Sequence, residues 1–191
     1  METRQPMGRR LAIVGGVMTL AGLISWLLTG RNKFKVKTMT VNIPFTGKIE
    51  LEINATQRQA AWSLYVELVT RITSQPLAAE EGLLREALTS LYRIFSITRD
   101  VLKQAGPGVG IEKNSVGGIA IAVLNEGLRP FLAKWHPKLQ DWEAKCPSGT
   151  SQLEHEKNWS EREQCRSELE QLRQDLNQYI EALATIAKAG E

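Results

Sequence analysis

Nineteen consecutive residues without a charge, 11–29 (LAIVGGVMTLAGLISWLLT), constrain this chain more than any other stretch. About 20 apolar residues at ~1.5 Å rise per residue span the hydrocarbon core of a bilayer. Arg9 and Arg10 precede the stretch, and Arg31, Lys33, Lys35 and Lys37 follow it. A cleaved signal peptide has a shorter apolar middle, about 7–15 residues, with a small-x-small cleavage site after it. Here lysines follow instead, as in a stop-transfer flank. The expectation is a retained N-terminal transmembrane helix, with Trp26 at the interfacial aromatic position.

The segment has a face. Ala12, Gly15, Thr19 and Gly22 recur at helical spacing, with Gly16 and Ser25 beside them. Helices associate in lipid where small residues let backbones approach, so this face is the candidate self-association seam and a homo-oligomer is the expected state. Glycine is also common in membrane helices generally, which is the plainer account of some of these positions. Basic residues flank both ends, and the positive-inside bias slightly favours a cytoplasmic C-terminal body. Two cysteines, Cys146 and Cys165, do not make a secreted disulfide framework and agree with that side.

The sequence divides into an anchor (1–30), a basic juxtamembrane segment with a β-hairpin (31–54) and a helical bundle (55–191). A formal charge of +3 is not that of a dedicated nucleic-acid binder, and anionic headgroups account for the lysines just after the anchor. Residues 35–54 alternate with period two: Met39, Val41 and Ile43, then Ile49, Leu51 and Ile53. Pro44, Thr46 and Gly47 mark the turn between two strands.

From Thr56 the period is helical. Thr56-x-x-Gln59 has the form of a capping box, and Trp62, Tyr65, Val66, Val69 and Ile72 form a stripe reaching toward Pro76. A second helix over about 79–104 carries Leu84, Leu88, Leu91, Phe95, Thr98 and Leu102, widened by Leu83, Ala87, Ile94 and Val101. The glycine cluster at 106–110 lacks the Lys-Ser/Thr of a phosphate loop and reads as a connection. A third helix begins near Ser115, resumes at Pro130, and is expected to restart as a short helix after Pro137. Residues 146–159 read as a polar loop. Ser160-x-x-Glu163 then caps a last helix with Leu169, Leu172, Leu176, Tyr179, Leu183 and Ile186 on three–four spacing, and Cys165 one step earlier as a buried thiol.

Cys146, Cys165, His136 and His155 are the soft ligands available, and their spacing matches no zinc pattern. No metal or cofactor is expected. Arg129 and His136 lie seven residues apart, about two helical turns, and share a face. Such a pair can hold a phosphate while the imidazole moves a proton. Lys134 and Lys138 add charge nearby as RNA-contact candidates. The plainer alternative pairs Arg129 with an acid such as Glu126 and leaves His136 structural.

An arginine, four to six residues and a histidine, late in an all-α bundle, resembles the HEPN superfamily. Many of its members are RNases whose motifs meet across a dimer. Arg129 and His136 match at the six-residue limit, while Pro130 departs from the polar residue often found there. With the N-terminal span, the chain looks most like the small membrane accessory proteins of RNA-targeting (type VI-B) CRISPR antiviral defence systems. The resemblance implies an all-α, HEPN-like helical bundle preceded by one transmembrane helix and a short β-hairpin. It implies a bacterial inner-membrane oligomer that forms a pore in the lipid bilayer, with RNA or a CRISPR RNA-guided effector as partner. The alternatives are a membrane-tethered HEPN ribonuclease, in which Arg129 and His136 are catalytic, and a non-catalytic membrane scaffold.

Overall fold

The computed structural model describes residues 37–71 and 81–189. The anchor segment 11–29, with the Ala12, Gly15, Thr19 and Gly22 face, lies outside these residues, as do Ile72, Pro76 and the first two residues expected of the second helix, 79 and 80. The described part is mostly helical with one small antiparallel hairpin. Strand β1 (Lys37–Ile43) pairs with β2 (Gly47–Ile53) in the register Met39 to Leu51 and Val41 to Ile49. Val41, Ile43, Leu51 and Ile53 are buried, so the period-two apolar face packs on the helices. The described residues belong to one compact unit, and the hairpin shares its core with the bundle.

The hairpin tip is a four-residue turn closed by Thr46 N–H donating to the Ile43 carbonyl at 3.3 Å. Pro44 takes the second position, and Phe45 the third at φ 70°, where a side chain is strained. The Phe45 ring lies against Gly127. A Cβ added at Gly127 would stand 2.5 Å from Phe45 Cε2, so this docking requires glycine.

Helix α1 (Ala55–Val69) is capped by Asn54, whose Oδ1 accepts the Gln57 N–H at 2.9 Å, and not by Thr56. Its inward face is also not the expected one. Ala60, Ala61, Leu64 and Leu68 are buried, whereas Trp62 is 52 % and Val66 38 % exposed. Apolar residues occur all round α1, so periodicity did not select a face. The small pair Ala60–Ala61 lets α1 approach its neighbours closely, and Trp62 stacks on Tyr65 outside, ring centroids 5.6 Å apart.

Helix α2 (Leu84–Ala105) starts later than expected, after Gly82 at φ 67° and an extended Leu83. Leu83 offers no cap. The Leu84 N–H is instead taken by the Glu156 carboxylate at 2.9 Å, across 72 residues of sequence. The glycine cluster winds as a 3₁₀ turn, Gly106–Val109.

Helix α3 (Val116–Ala122) begins at Ser115 as expected, and the Ser115 Oγ caps it by accepting the Gly118 N–H. A π turn (Val123–Leu128) follows and leads without a break into α4 (Arg129–Glu143). Arg129 N–H reaches back to the Leu124 carbonyl, a five-residue step. Proline has no N–H and collides with the carbonyl four residues earlier, and the wider turn before Pro130 relieves both problems. Pro137 does not restart a helix, because α4 runs straight through it. The carbonyl that loses its donor belongs to Ala133, on the exposed side where water serves it, while Trp135 and Leu139 are fully buried and hold the axis.

The expected loop 146–159 contains a short helix, α5 (Gln152–Lys157), capped by Ser151. The last helix, α6 (Arg162–Lys188), follows Glu161 with no side-chain cap from Ser160. Its buried residues include Leu169, Leu172, Leu176, Tyr179, Leu183 and Ile186, the expected stripe, with Ile180 and Ala182 beside them. Cys165 is fully buried, and burial pushes its thiol up to about 12, where it is inert.

The run Val116–Glu143 is the one helical stretch among the described residues long and apolar enough to cross a membrane, by length and composition alone. Most of its large apolar side chains, among them Val116, Ile119, Val123, Leu128, Trp135 and Leu139, pack into the core, while Ile121 is exposed.

Candidate functional site

Antiparallel α2 and α4 leave an open groove of about 550 Å³ between them. Arg129 and His136 both line it, with Leu132 and Ala133 between them on α4 and Tyr92, Phe95 and Arg99 from α2. The shared face read from their spacing is therefore present. The groove also brings in residues that the sequence did not single out. Arg85, Tyr92 and Arg99 recur every seven residues on α2, and Arg129, His136 and Glu143 every seven on α4. Each set occupies one helix face. In the antiparallel pair, Arg85 meets His136 and Glu143, Tyr92 meets His136, and Arg99 lines the Arg129 end.

Arg129 is exposed and does not pair with Glu126. Its Nε and Nη2 donate to Asn125 Oδ1 at 3.2 and 2.9 Å, and its guanidinium centre lies 5.6 Å from the Phe95 ring centroid. An amide and an aromatic face orient the group without neutralising it. Arg99 makes no ion pair among the described residues, so two uncompensated guanidinium groups face one groove. Tyr92 is 65 % exposed, and its ring centroid lies 6.4 Å from that of His136.

His136 is half-buried, and Arg85 Nη1 donates to its Nε2 at 3.1 Å. The remaining edge of Arg85 grips Glu143: Nε donates to both carboxylate oxygens at 3.0 and 2.9 Å, and Nη2 to Oε2 at 2.6 Å. The seven-residue repeats could have been read in the sequence, but nothing local pairs residue 85 with residues 136 and 143.

Lys134 and Lys138 are not brought to the groove. Both lie over the buried Trp135 indole, at 4.5 and 5.2 Å, and pair with Glu168 and Glu161 on the α6 side. Trp135 Nε1 donates to the same Glu168 at 2.8 Å. The Lys134 hydrogen bond holds the Glu168 carboxyl below its usual range, with the Trp135 bond adding to it. These lysines join α4 to α6.

His155 is a buried residue of α5, and Cys146 sits in the loop with weak contacts to the Pro147 and Thr150 carbonyls. Among the described residues no three His, Cys, Asp or Glu side chains converge in a way that could hold a metal ion. The arrangement has the chemistry to attract a phosphate, offer an aromatic face to a base, and present an oriented imidazole to both. Comparison of the chain with protein-family models, with curated proteins and with solved structures gave no match.

Proposed function

We propose that this chain is a membrane-tethered, HEPN-like protein whose α2–α4 groove binds and cleaves single-stranded RNA. The observation that carries the reading is the meeting of Arg99 and Arg129, neither neutralised by a carboxylate among the described residues, with exposed Tyr92 and oriented His136 in one groove. Arginine grips phosphate through charge-assisted hydrogen bonds, and an aromatic face stacks any unpaired base. In the reaction His136 accepts the proton of a ribose 2′-hydroxyl, the O2′–P bond forms and the P–O5′ bond breaks. The proton then returns through water to the departing O5′, leaving a 2′,3′-cyclic phosphate and a 5′-hydroxyl. Arg129 neutralises the phosphate oxygens as charge builds there.

The test uses full-length protein in detergent micelles and a labelled single-stranded RNA. His136→Ala is expected to slow cleavage by about 10²-fold or more with the fold intact by circular dichroism. Arg129→Ala is expected to weaken RNA binding and to lower the salt slope by about 0.7, one phosphate contact on a single strand. Wild-type protein that neither binds nor cuts single-stranded RNA overturns the reading.

The second reading, an oligomeric pore in the inner membrane, is favoured by the small-residue face Ala12, Gly15, Thr19 and Gly22. It predicts a discrete multi-chain mass by light scattering in nanodiscs and dye release from vesicles. Gly15→Leu and Gly22→Leu should abolish both. A dimer that releases no dye removes this reading and leaves the RNA groove in place.

A further inference from the structure

Arg85 occupies the first turn of α2 and Glu143 the last position of α4. A cation at a helix N-terminus and an anion at a C-terminus both oppose the helix macrodipole. Local helix energetics therefore favours neither residue where it stands, and what they share is each other and His136.

The geometry of that contact fixes a protonation state. Glu143 takes the Nε and Nη2 edge of the Arg85 guanidinium, with three contacts between 2.6 and 3.0 Å. Nη1 remains, and it lies 3.1 Å from His136 Nε2. Guanidinium has donors and no lone pair, so Nε2 must be the acceptor, and the neutral ring carries its proton on Nδ1. A free histidine side chain prefers the opposite tautomer, with the proton on Nε2. A doubly protonated ring would turn an N–H toward the guanidinium and lose the contact.

We infer that the Glu143–Arg85 pair is a positioning clamp that holds His136 in the Nδ1–H form with its Nε2 lone pair aimed along a fixed line. The inference rests on the reading of this groove as an RNA site. A general base needs an unprotonated ring nitrogen at a defined place, and the clamp supplies it before substrate arrives. The 2′-hydroxyl of the RNA then replaces Arg85 Nη1 as the donor to the same lone pair. Arg85 is a positioning residue in this scheme, acting through His136.

The chain contains two histidines, and the second serves as an internal control. His155 Nε2 lies 2.8 Å from the Trp142 carbonyl oxygen, which accepts, so this ring carries its proton on Nε2. Full-length protein labelled with ¹⁵N-histidine should therefore show opposite tautomers in one spectrum, with His136→Asn assigning the signals. Arg85→Gln and Glu143→Gln should each return His136 to the Nε2–H form while the His155 signals stay in place and report an intact fold. In cleavage, Glu143→Gln should lower kcat several-fold with KM within about twofold, since orientation rather than binding is lost. A wild-type His136 found mainly as Nε2–H overturns the clamp, as does a tautomer that survives both substitutions. If the spectra match but the wild type cuts no RNA, the clamp stands and the ribonuclease reading falls. If His136 is needed for cleavage but has the wrong tautomer, the reverse holds.

Discussion

His155 lies flat on Trp142, ring centroids 4.6 Å apart and planes 8° from parallel, and each ring's N–H donates to the other residue's carbonyl. His136 stands half-buried at the α2–α4 groove, its Nε2 held by Arg85 and its neighbour Tyr92 largely exposed. One ring packs against α4 and the other belongs to it, yet the first gives its Nε2–H to the fold and the second keeps a polar edge near solvent. A histidine's surroundings, not its presence, decide whether it can do chemistry. The same division runs along α4: Trp135, Lys134 and Lys138 face α6 and hold the bundle, while Arg129 and His136 face the groove.

Replacing the two histidines in turn gives the sharpest test of this division. His155→Ala removes a stacked ring and the Nε2 donor to the Trp142 carbonyl, which keeps the Lys145 N–H, and it should cost about 2–3 kcal/mol in urea unfolding. His136→Ala should cost below about 1 kcal/mol, because its site is open to solvent. Equal losses would erase the distinction. Gly127→Ala tests whether the groove depends on the π turn before Arg129. A Cβ there meets the Phe45 ring, and the expected cost is about 1–2 kcal/mol. Phe45→Ala should recover part of it in a double-mutant cycle.

Glu156 and Glu168 extend the comparison to pH. Burial lifts the Glu156 carboxyl above its ordinary value of 4.5, against the Leu84 N–H and the charges of Arg162 and Arg166. An acid with a raised folded-state pKa binds its proton more tightly when folded. Its contribution is complete below 4.5 and is lost as pH rises through the raised value. Melting curves of Glu156→Gln should therefore lack part of the decline that the wild type shows as pH rises above 4.5. Glu168, held down by Lys134, works in the other direction: its contribution is present above its ordinary pKa and fades as pH falls. The smallest effect belongs to the exposed pairs. Lys134→Ala and Lys138→Ala should each change stability by about 0–1 kcal/mol and leave RNA cleavage unaltered. A marked loss of cleavage would bring the lysines back to the site from which their geometry removes them.

Much of this architecture was legible locally. The period-two runs 39–43 and 49–53 determined the hairpin and its buried face, because strand alternation allows one register for an apolar side. The leucines of α6 likewise declared a core stripe through spacing alone. Arg129 and His136 were placed on one face by helical geometry, and they share one groove. Tertiary structure decided the rest. α1 has apolar residues on every side, so only packing against α2 and α6 chose Ala60, Ala61, Leu64 and Leu68 over Trp62 and Val66. α4 survives Pro137 because buried Trp135 and Leu139 hold its axis and solvent serves the orphaned carbonyl. The Arg85 contact to His136 spans 51 residues and the Glu156 cap on α2 spans 72, distances at which no local period carries information. Periodicity reports which side of an element is apolar. Which side chain waits across the gap is set by how the elements pack.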